Sequence, residues 1–151
     1  MNIAVFPGTF DPITLGHMEI VKRALPIFDK IIIAIGINDS KKTLFSLEQR
    51  VKWIEEVFRH EEKVVTDTFL GLPVDFCKSV ESRFLLRGLR NAADFDYEKT
   101  ISQLNHVLGE DIETIFLISR PKYSHISSTI VKEIIKAKGD ASVFLPREVI
   151  I

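Results

Sequence analysis

The stretch IAVFPGTFDPITLGHMEIVKRALPIF (3–28) decides how the chain is read. Its first four residues are an apolar run with two β-branched members, the pattern of a short strand. A turn rich in glycine and proline follows. Beyond it Met18, Val21, Leu25 and Phe28 recur on one helical face, and Pro26 must kink or end that helix because it lacks an N–H. Strand, tight turn and helix are the opening half of a βαβ unit, and the remainder of the chain repeats the pattern.

Working outward, KIIIAIG (30–36), KVVTDTF (63–69), RFLLRG (83–88) and TIFLIS (114–119) read as four more strands. They are largely apolar rather than alternating, which suits strands buried on both faces of a parallel sheet. Helical patterns lie between them. SLEQ (46–49) has the spacing of a capping box, with Ser46 on the N3 amide and Gln49 reaching back. Leu47, Val51, Ile54 and Phe58 continue that stripe. PVDFCKSV (73–80) forms a short helix with proline in its first turn. Tyr97, Ile101, Leu104 and Leu108 form the stripe of a fourth helix that stops at Gly109. A fifth starts near Ser127 and ends with Gly139 as its C′ residue. The alternation predicts an α/β, Rossmann-like, doubly wound sheet of about five parallel strands with helices on both faces, as one domain over 1–151.

Composition narrows the function. The 151 residues are 46% hydrophobic and 27% charged, enough apolar matter for one core. Twenty basic and twenty-one acidic side chains leave a net charge of −1, without the basic surplus of a general nucleic-acid binder. One cysteine, Cys77, excludes an internal disulfide and a Cys-based zinc site, and it reads as a small buried side chain. The opening MNIAVFPGTFDP has no cationic leader region. IIIAI (31–35), the longest apolar run, falls far short of the roughly 20 residues of a spanning helix. The expectation is a cytoplasmic chain with neither nucleic acid nor membrane as partner.

In doubly wound sheets ligands sit beyond the carboxyl ends of the strands. The residues there are PGTFDPITLGH (7–17), NDSKKT (38–43), RGLR (87–90) and RPKYSHISST (120–129). The first has Gly8 for close backbone approach, Gly16 for room above the helix mouth, and His17 at a helix N-terminus, where free amides and the dipole favour an anion. His17 as a simple polar cap is the competing reading. Arg87 and Arg90 match phosphate by bidentate geometry, or else pair with Asp94, Asp96 or Glu98. Ser127, Ser128 and Thr129 open a helix and either cap it or hold a phosphate. His60, His106 and Trp53 read as structural. Together the four segments describe a phosphate-binding pocket with one histidine and no nucleophile–base pair, zinc constellation or acidic metal cage. Such a site suits nucleotidyl or phosphoryl transfer by positioning and charge stabilisation.

Thr14, Gly16 and His17 form the T-x-G-H signature of the nucleotidyltransferase superfamily, related to the HIGH motif of class I aminoacyl-tRNA synthetases. With SKK (40–42), RGLRNAADFDYE (87–98), ISST (126–129) and GDASVFLP (139–146), the chain closely resembles the bacterial phosphopantetheine adenylyltransferases over essentially its full length. The resemblance implies adenylyl transfer from ATP to 4′-phosphopantetheine, giving dephospho-coenzyme A and pyrophosphate, with magnesium (Mg2+) held mainly by the ATP phosphates. It also implies direct attack without a covalent intermediate, and a homohexamer. By position, Thr9 and Phe10 would contact ATP, with Thr9 also facing the phosphopantetheine phosphate, and His17 would stabilise the transition state. Lys41, Pro73 and Arg87 would bind phosphopantetheine. Gly88, Leu89, Arg90 and Glu98 would bind ATP, and the loop of Tyr123, Ser124, His125, Ile126, Ser127, Ser128 and Thr129 would close over the nucleotide. Proline at position 73 departs from the aliphatic residue common in that family.

Two other readings compete. One is another small adenylyl- or cytidylyltransferase, such as one acting on nicotinamide mononucleotide, against which RGLR with ADFDYE argues. The other is a nucleotide-binding regulator without turnover, which would not need His17, Lys41, Arg87 and Arg90 together.

Overall fold

The computed structural model describes residues 1–151. Five strands, β1 (Ile3–Gly8), β2 (Lys30–Gly36), β3 (Val64–Phe69), β4 (Phe84–Leu89) and β5 (Glu113–Ile118), form one sheet in the order β3-β2-β1-β4-β5. All four pairings are parallel. The helices are α1 (Leu15–Ala24), α2 (Leu47–Val57), α3 (Pro73–Ser79), α4 (Ala92–Leu108) and α5 (Ser128–Lys136), followed by a 3₁₀ turn at Ser142–Phe144. This is the expected Rossmann-like α/β fold.

Strand parity explains why β2 is apolar throughout. Ile31, Ile33 and Ile35 point into a 19-residue core with Ala4 and Phe6 of β1, Ile20 and Val21 of α1, Trp53 and Ile54 of α2, and Val131 of α5. Ile32 and Ala34 point the other way, into a seven-residue core with Val5, Leu85 and the α3 residues Val74 and Cys77. Each fully buried isoleucine stabilises the fold by about 1.5–3 kcal/mol, so β2 is anchored from both sides. Cys77 is fully buried, and desolvation pushes its thiol pKa up to about 11.

Several local expectations are corrected. The helix after β1 ends before Pro26, as expected, at Ala24 with Leu25 as its cap; Phe28 therefore lies beyond the helix rather than on its face, although still buried in the larger core. At α2 the Ser46 hydroxyl accepts from Gln49 N at 3.2 Å, but the return bond from the Gln49 side chain is not formed. Gly139 is C″ rather than C′ of α5. The left-handed position falls on Lys138 (φ 61°), whose N–H donates to Ile135 O while Gly139 N–H donates to Ile134 O, the two bonds of a Schellman motif. Glycine is needed at 139 for space, since a Cβ there would stand 2.9 Å from Ile134 Cγ2.

The largest correction concerns α4. Tyr97, Leu104 and Leu108 are 67%, 54% and 53% exposed, and Glu98 is the one buried residue of the helix. The face turned towards the sheet carries Asp94, Glu98, Ile101 and Asn105. The helix therefore presents carboxylates inward at the strand ends and apolar side chains outward.

The sheet opens where its winding reverses. β1 and β4 pair only at Ala4–Phe84 and Val5–Leu85, although both strands continue beyond those rungs. Past them the Pro7 carbonyl accepts from Arg87 Nη1 at 2.6 Å. A side chain spans the gap that a backbone ladder leaves, and this is the topological switch point where ligands bind in such folds.

Candidate active site

Two clefts meet over this gap. The first, about 300 Å³, is lined by His17, Gly88, Arg90, Ile126, Ser127, Ser128, Thr129 and Lys132 among others. The second, about 330 Å³, runs towards Gly36, Phe69, Pro73, Tyr97, Ile101 and Asn105. Pro7, Gly8, Thr9, Lys41, Arg87 and Glu98 line both and form their common wall.

His17 owes its place to a cap. Thr14 is the N-cap of α1 and His17 its N3 residue; the His17 N–H donates to Thr14 Oγ1, and the Thr14 N–H donates to His17 Nδ1 at 3.0 Å. This is a complete capping box in which histidine replaces the usual Glu or Gln. Nδ1 is thereby committed as an acceptor, so the neutral ring carries its proton on Nε2. Burial first, then Arg87 and Arg90, lower the His17 pKa from 6.5 to about 4. The ring also packs on Phe10, with centroids 4.9 Å apart. Cap and functional donor were competing readings of this residue; the cap is formed through Nδ1 and does not use Nε2.

The turn below the imidazole is tightly packed. Phe10 has φ 48°, a left-handed conformation unusual for a bulky residue, and is almost wholly buried. Its ring lies so near Gly8 that a Cβ there would stand 2.9 Å from Phe10 Cε2. Gly8 is thus required by its own neighbour two residues on, whereas a Cβ at Gly16 would make only an ordinary contact, 3.5 Å from Thr14 Oγ1.

The cleft cations are already partnered, as the competing reading of RGLR held. Arg87 binds Glu98 bidentately, at 3.0 Å through Nε and 2.6 Å through Nη2. Arg90 binds Asp94 at 3.0 and 3.3 Å. Asp96 takes no part in these pairs. Lys132 Nζ lies 3.4 Å from Asp11 Oδ2. Lys41 differs, since its Nζ donates to Thr9 Oγ1 at 2.9 Å and meets a hydroxyl rather than a carboxylate. It is the cation that can take a phosphate without displacing an anionic partner.

The hydroxyls of the ISST segment are also engaged. Ser127 caps α5 by accepting from Ile130 N, and Ser128 Oγ donates to Pro12 O at 2.9 Å, tying α5 to the β1–α1 turn. Thr129 is exposed at the cleft. Pro73 stands in the wall of the second cleft at the first turn of α3. Four expected residues are not brought to either wall: Leu89, whose side chain is buried, and Tyr123, Ser124 and His125 at the far side of the loop before α5. Thr14, named in the T-x-G-H motif, orients His17, and Asp94, one of the partners expected for the arginines, holds Arg90. Two residues that the sequence reading passed over, Asp11 and Lys132, pair in the wall of the first cleft, and nothing local marks either.

The carboxylates at the clefts are committed as well. Asp11 accepts from the N–H groups of Leu44 and Phe45, and Asp94 and Glu98 hold arginines. No three metal-ligating side chains converge on one point.

Comparison with known proteins agrees with this architecture. Residues 5–134 match the cytidylyltransferase-like family. A phosphopantetheine adenylyltransferase of Flavobacterium psychrophilum is 51% identical over 99% of this chain and 98% of its own. One from Christiangramia forsetii is 50% identical over 97% of this chain and 96% of its own, and one from Leptospira biflexa is 54% identical over 88% and 83%. Among solved structures, a bifunctional NMN adenylyltransferase/ADP ribose pyrophosphatase from Francisella tularensis superposes with a TM-score of 0.74 at 16% identity. That match covers 95% of this chain and 44% of the longer one, and it speaks to the fold.

Proposed function

The chain belongs to the phosphopantetheine adenylyltransferases within the cytidylyltransferase-like family, and from that premise we infer how its two clefts perform the reaction. The enzyme transfers the adenylyl group of ATP to 4′-phosphopantetheine, giving dephospho-coenzyme A and pyrophosphate, a step of coenzyme A biosynthesis. One observation carries the assignment of the clefts: two elongated pockets share a wall of Thr9, Lys41 and Arg87. A reaction that joins two phosphates needs them side by side at such a wall.

ATP occupies the first cleft, near Phe10, Gly88, Arg90 and Glu98, with Ile126, Ser127, Ser128 and Thr129 at the start of α5 beside the nucleotide. Phosphopantetheine occupies the second, its phosphate on Lys41, Thr9 and Arg87 and its arm running past Pro73. The acceptor phosphate is already anionic and attacks the α-phosphorus in line. His17 donates Nε2–H to the α-phosphate oxygens as charge builds there, the role of an oxyanion donor. A neutral imidazole is a donor at all working pH values and never has to lose a proton. Magnesium would be held mainly by the ATP phosphates, as part of the substrate, and would neutralise their charge.

The exposed apolar side chains of α4, Leu104, Val107 and Leu108 among them, support assembly into a homohexamer. No helix is long and apolar enough to cross a membrane, and the small phosphorylated substrates support a cytoplasmic location. Incubation with ATP and either 4′-phosphopantetheine or nicotinamide mononucleotide, with pyrophosphate release as the readout, tests the assignment. Release with the pantetheine acceptor alone is expected; release only with the mononucleotide overturns it.

A further inference from the structure

Arg50 lies in the first turn of α2, is 6% exposed and has no carboxylate in contact. Buried arginines are uncommon without an anionic partner. This one spends its donors on two main-chain carbonyls: Nη1 donates to Thr9 O at 2.8 Å and Nε to Phe45 O at 3.2 Å. Asp11, itself 1% exposed, grips the same segment from the other side through the N–H groups of Leu44 and Phe45. Lys41 sits a few residues earlier in that segment and bonds back to Thr9 Oγ1. The bonds therefore close a ring: Thr9 to Arg50, Arg50 to Phe45, Phe45 to Asp11, and Lys41 to Thr9.

We propose that Arg50 is a positioning residue for the acceptor phosphate, holding the Thr9 and Phe45 carbonyls on one guanidinium and so setting where Lys41 meets Thr9. The assignment rests on the acceptor phosphate lying at Lys41 and Thr9, as inferred above. An ammonium can also reach two carbonyls, as Lys63 does at Leu25 O and Phe28 O, but from one nitrogen; the Arg50 fork holds Thr9 O and Phe45 O on two separate nitrogens in fixed directions. Burial lowers the Arg50 pKa and the charge of Asp11 opposes that shift; an arginine stays protonated regardless. The guanidinium is thus a rigid spacer at every working pH. The ATP contacts at Gly88, Arg90 and the α5 terminus lie on elements that Arg50 does not touch, since its hydrogen bonds go to Thr9 O and Phe45 O.

The test is a double-mutant cycle read by substrate. Arg50→Lys keeps the charge and loses the fork, and it should raise the KM for 4′-phosphopantetheine about tenfold, the scale of one hydrogen bond to a charged group, while leaving the affinity for a non-hydrolysable ATP analogue unchanged. Lys41→Ala should raise the same KM. In the Lys41→Ala background Arg50→Lys should add no further rise, because both act on one contact. Equal effects on both substrates, or additive effects on the acceptor, overturn the proposal. An unchanged acceptor KM in Lys41→Ala itself would remove the acceptor assignment and this inference with it. Wild-type protein that forms no dephospho-coenzyme A would instead refute the proposed function. Should Arg50→Lys fail to fold, the wild-type protein still decides: its Arg50 guanidinium ¹⁵N resonances should move on adding 4′-phosphopantetheine and not on adding the ATP analogue, and the absence of that movement overturns the proposal.

Discussion

The Thr14 backbone N–H donates to Nδ1 of His17 at 3.0 Å. The bond fixes the ring's tautomer before any substrate arrives. A histidine with Nδ1 engaged in this way presents Nε2–H and works as a donor rather than a base. Its pKa near 4 follows from the same placement, largely desolvated and close to two arginines.

Heteronuclear spectra of His17 should therefore show the Nε2–H tautomer, with a titration midpoint at about 4. The kcat profile should lack an inflection from His17 between about pH 5 and 8, where an unperturbed histidine titrates. Arg90→Met should raise the midpoint. The shift also makes the fold sensitive to acid. The unfolded chain takes up the proton near 6.5 and the folded one near 4, so across that window the unfolded state binds more protons and stability falls as pH falls. A midpoint near 6.5 would refute this account.

His17→Ala should cut kcat by roughly 10²–10³, about 3–4 kcal/mol, as expected for one lost oxyanion donor. ATP binding to the resting enzyme should change little, because the donor acts on charge that develops later. Binding measured by calorimetry beside steady-state kinetics separates the two, and near wild-type kcat would remove the proposed role. Because the imidazole also caps α1, a loss of helix stability of about 1 kcal/mol should accompany the substitution.

The cations should divide between substrates. Lys41→Ala should raise the KM for phosphopantetheine far more than that for ATP, since Lys41 meets only the Thr9 hydroxyl in the resting site. Arg87→Lys should harm both structure and turnover. An ammonium can replace neither the bidentate pair with Glu98 nor the bond to Pro7 O. Equal effects of Lys41→Ala on both substrates would show the division to be wrong.

Transfer should invert configuration at the α-phosphorus of a chiral α-thiophosphate ATP analogue, and no adenylylated protein should form without acceptor. Two of the serines at the first cleft are engaged: Ser127 caps α5 and Ser128 donates to Pro12 O. Neither has an oriented base, which hydroxyl nucleophiles require. Net retention, or a mass gain of one adenylyl group, would exclude direct attack.

Much of this could be read from the chain because the inner strands β1, β2 and β4, packed on both faces, leave a largely apolar record; the edge strands β3 and β5 hold no buried residue, yet all five were recognisable within one or two residues of their ends. The α4 stripe misled for a physical reason. Periodicity reports which residues share a face, not whether that face meets the core, and here Asp94 and Glu98 are drawn inward by Arg90 and Arg87. The T-x-G-H residues were visible as a motif and His17 as a possible cap, but that the cap uses Nδ1 had to wait for geometry. Asp11, Arg50 and Lys132 were out of reach because their meaning lies in contacts 33 to 121 residues away along the chain.

The sheet's two central rungs have a bearing on how the crevice was shaped. In an extended strand the N–H and C=O of one residue face the same neighbour, so at position 7 both would face the opening between β1 and β4. Proline supplies no N–H there, and Arg87 takes the carbonyl. The split thus leaves no backbone donor stranded at residue 7. Its width is governed by the reach of one side chain rather than by strand register, which makes the mouth of the crevice adjustable by single substitutions while the layers behind it keep their packing.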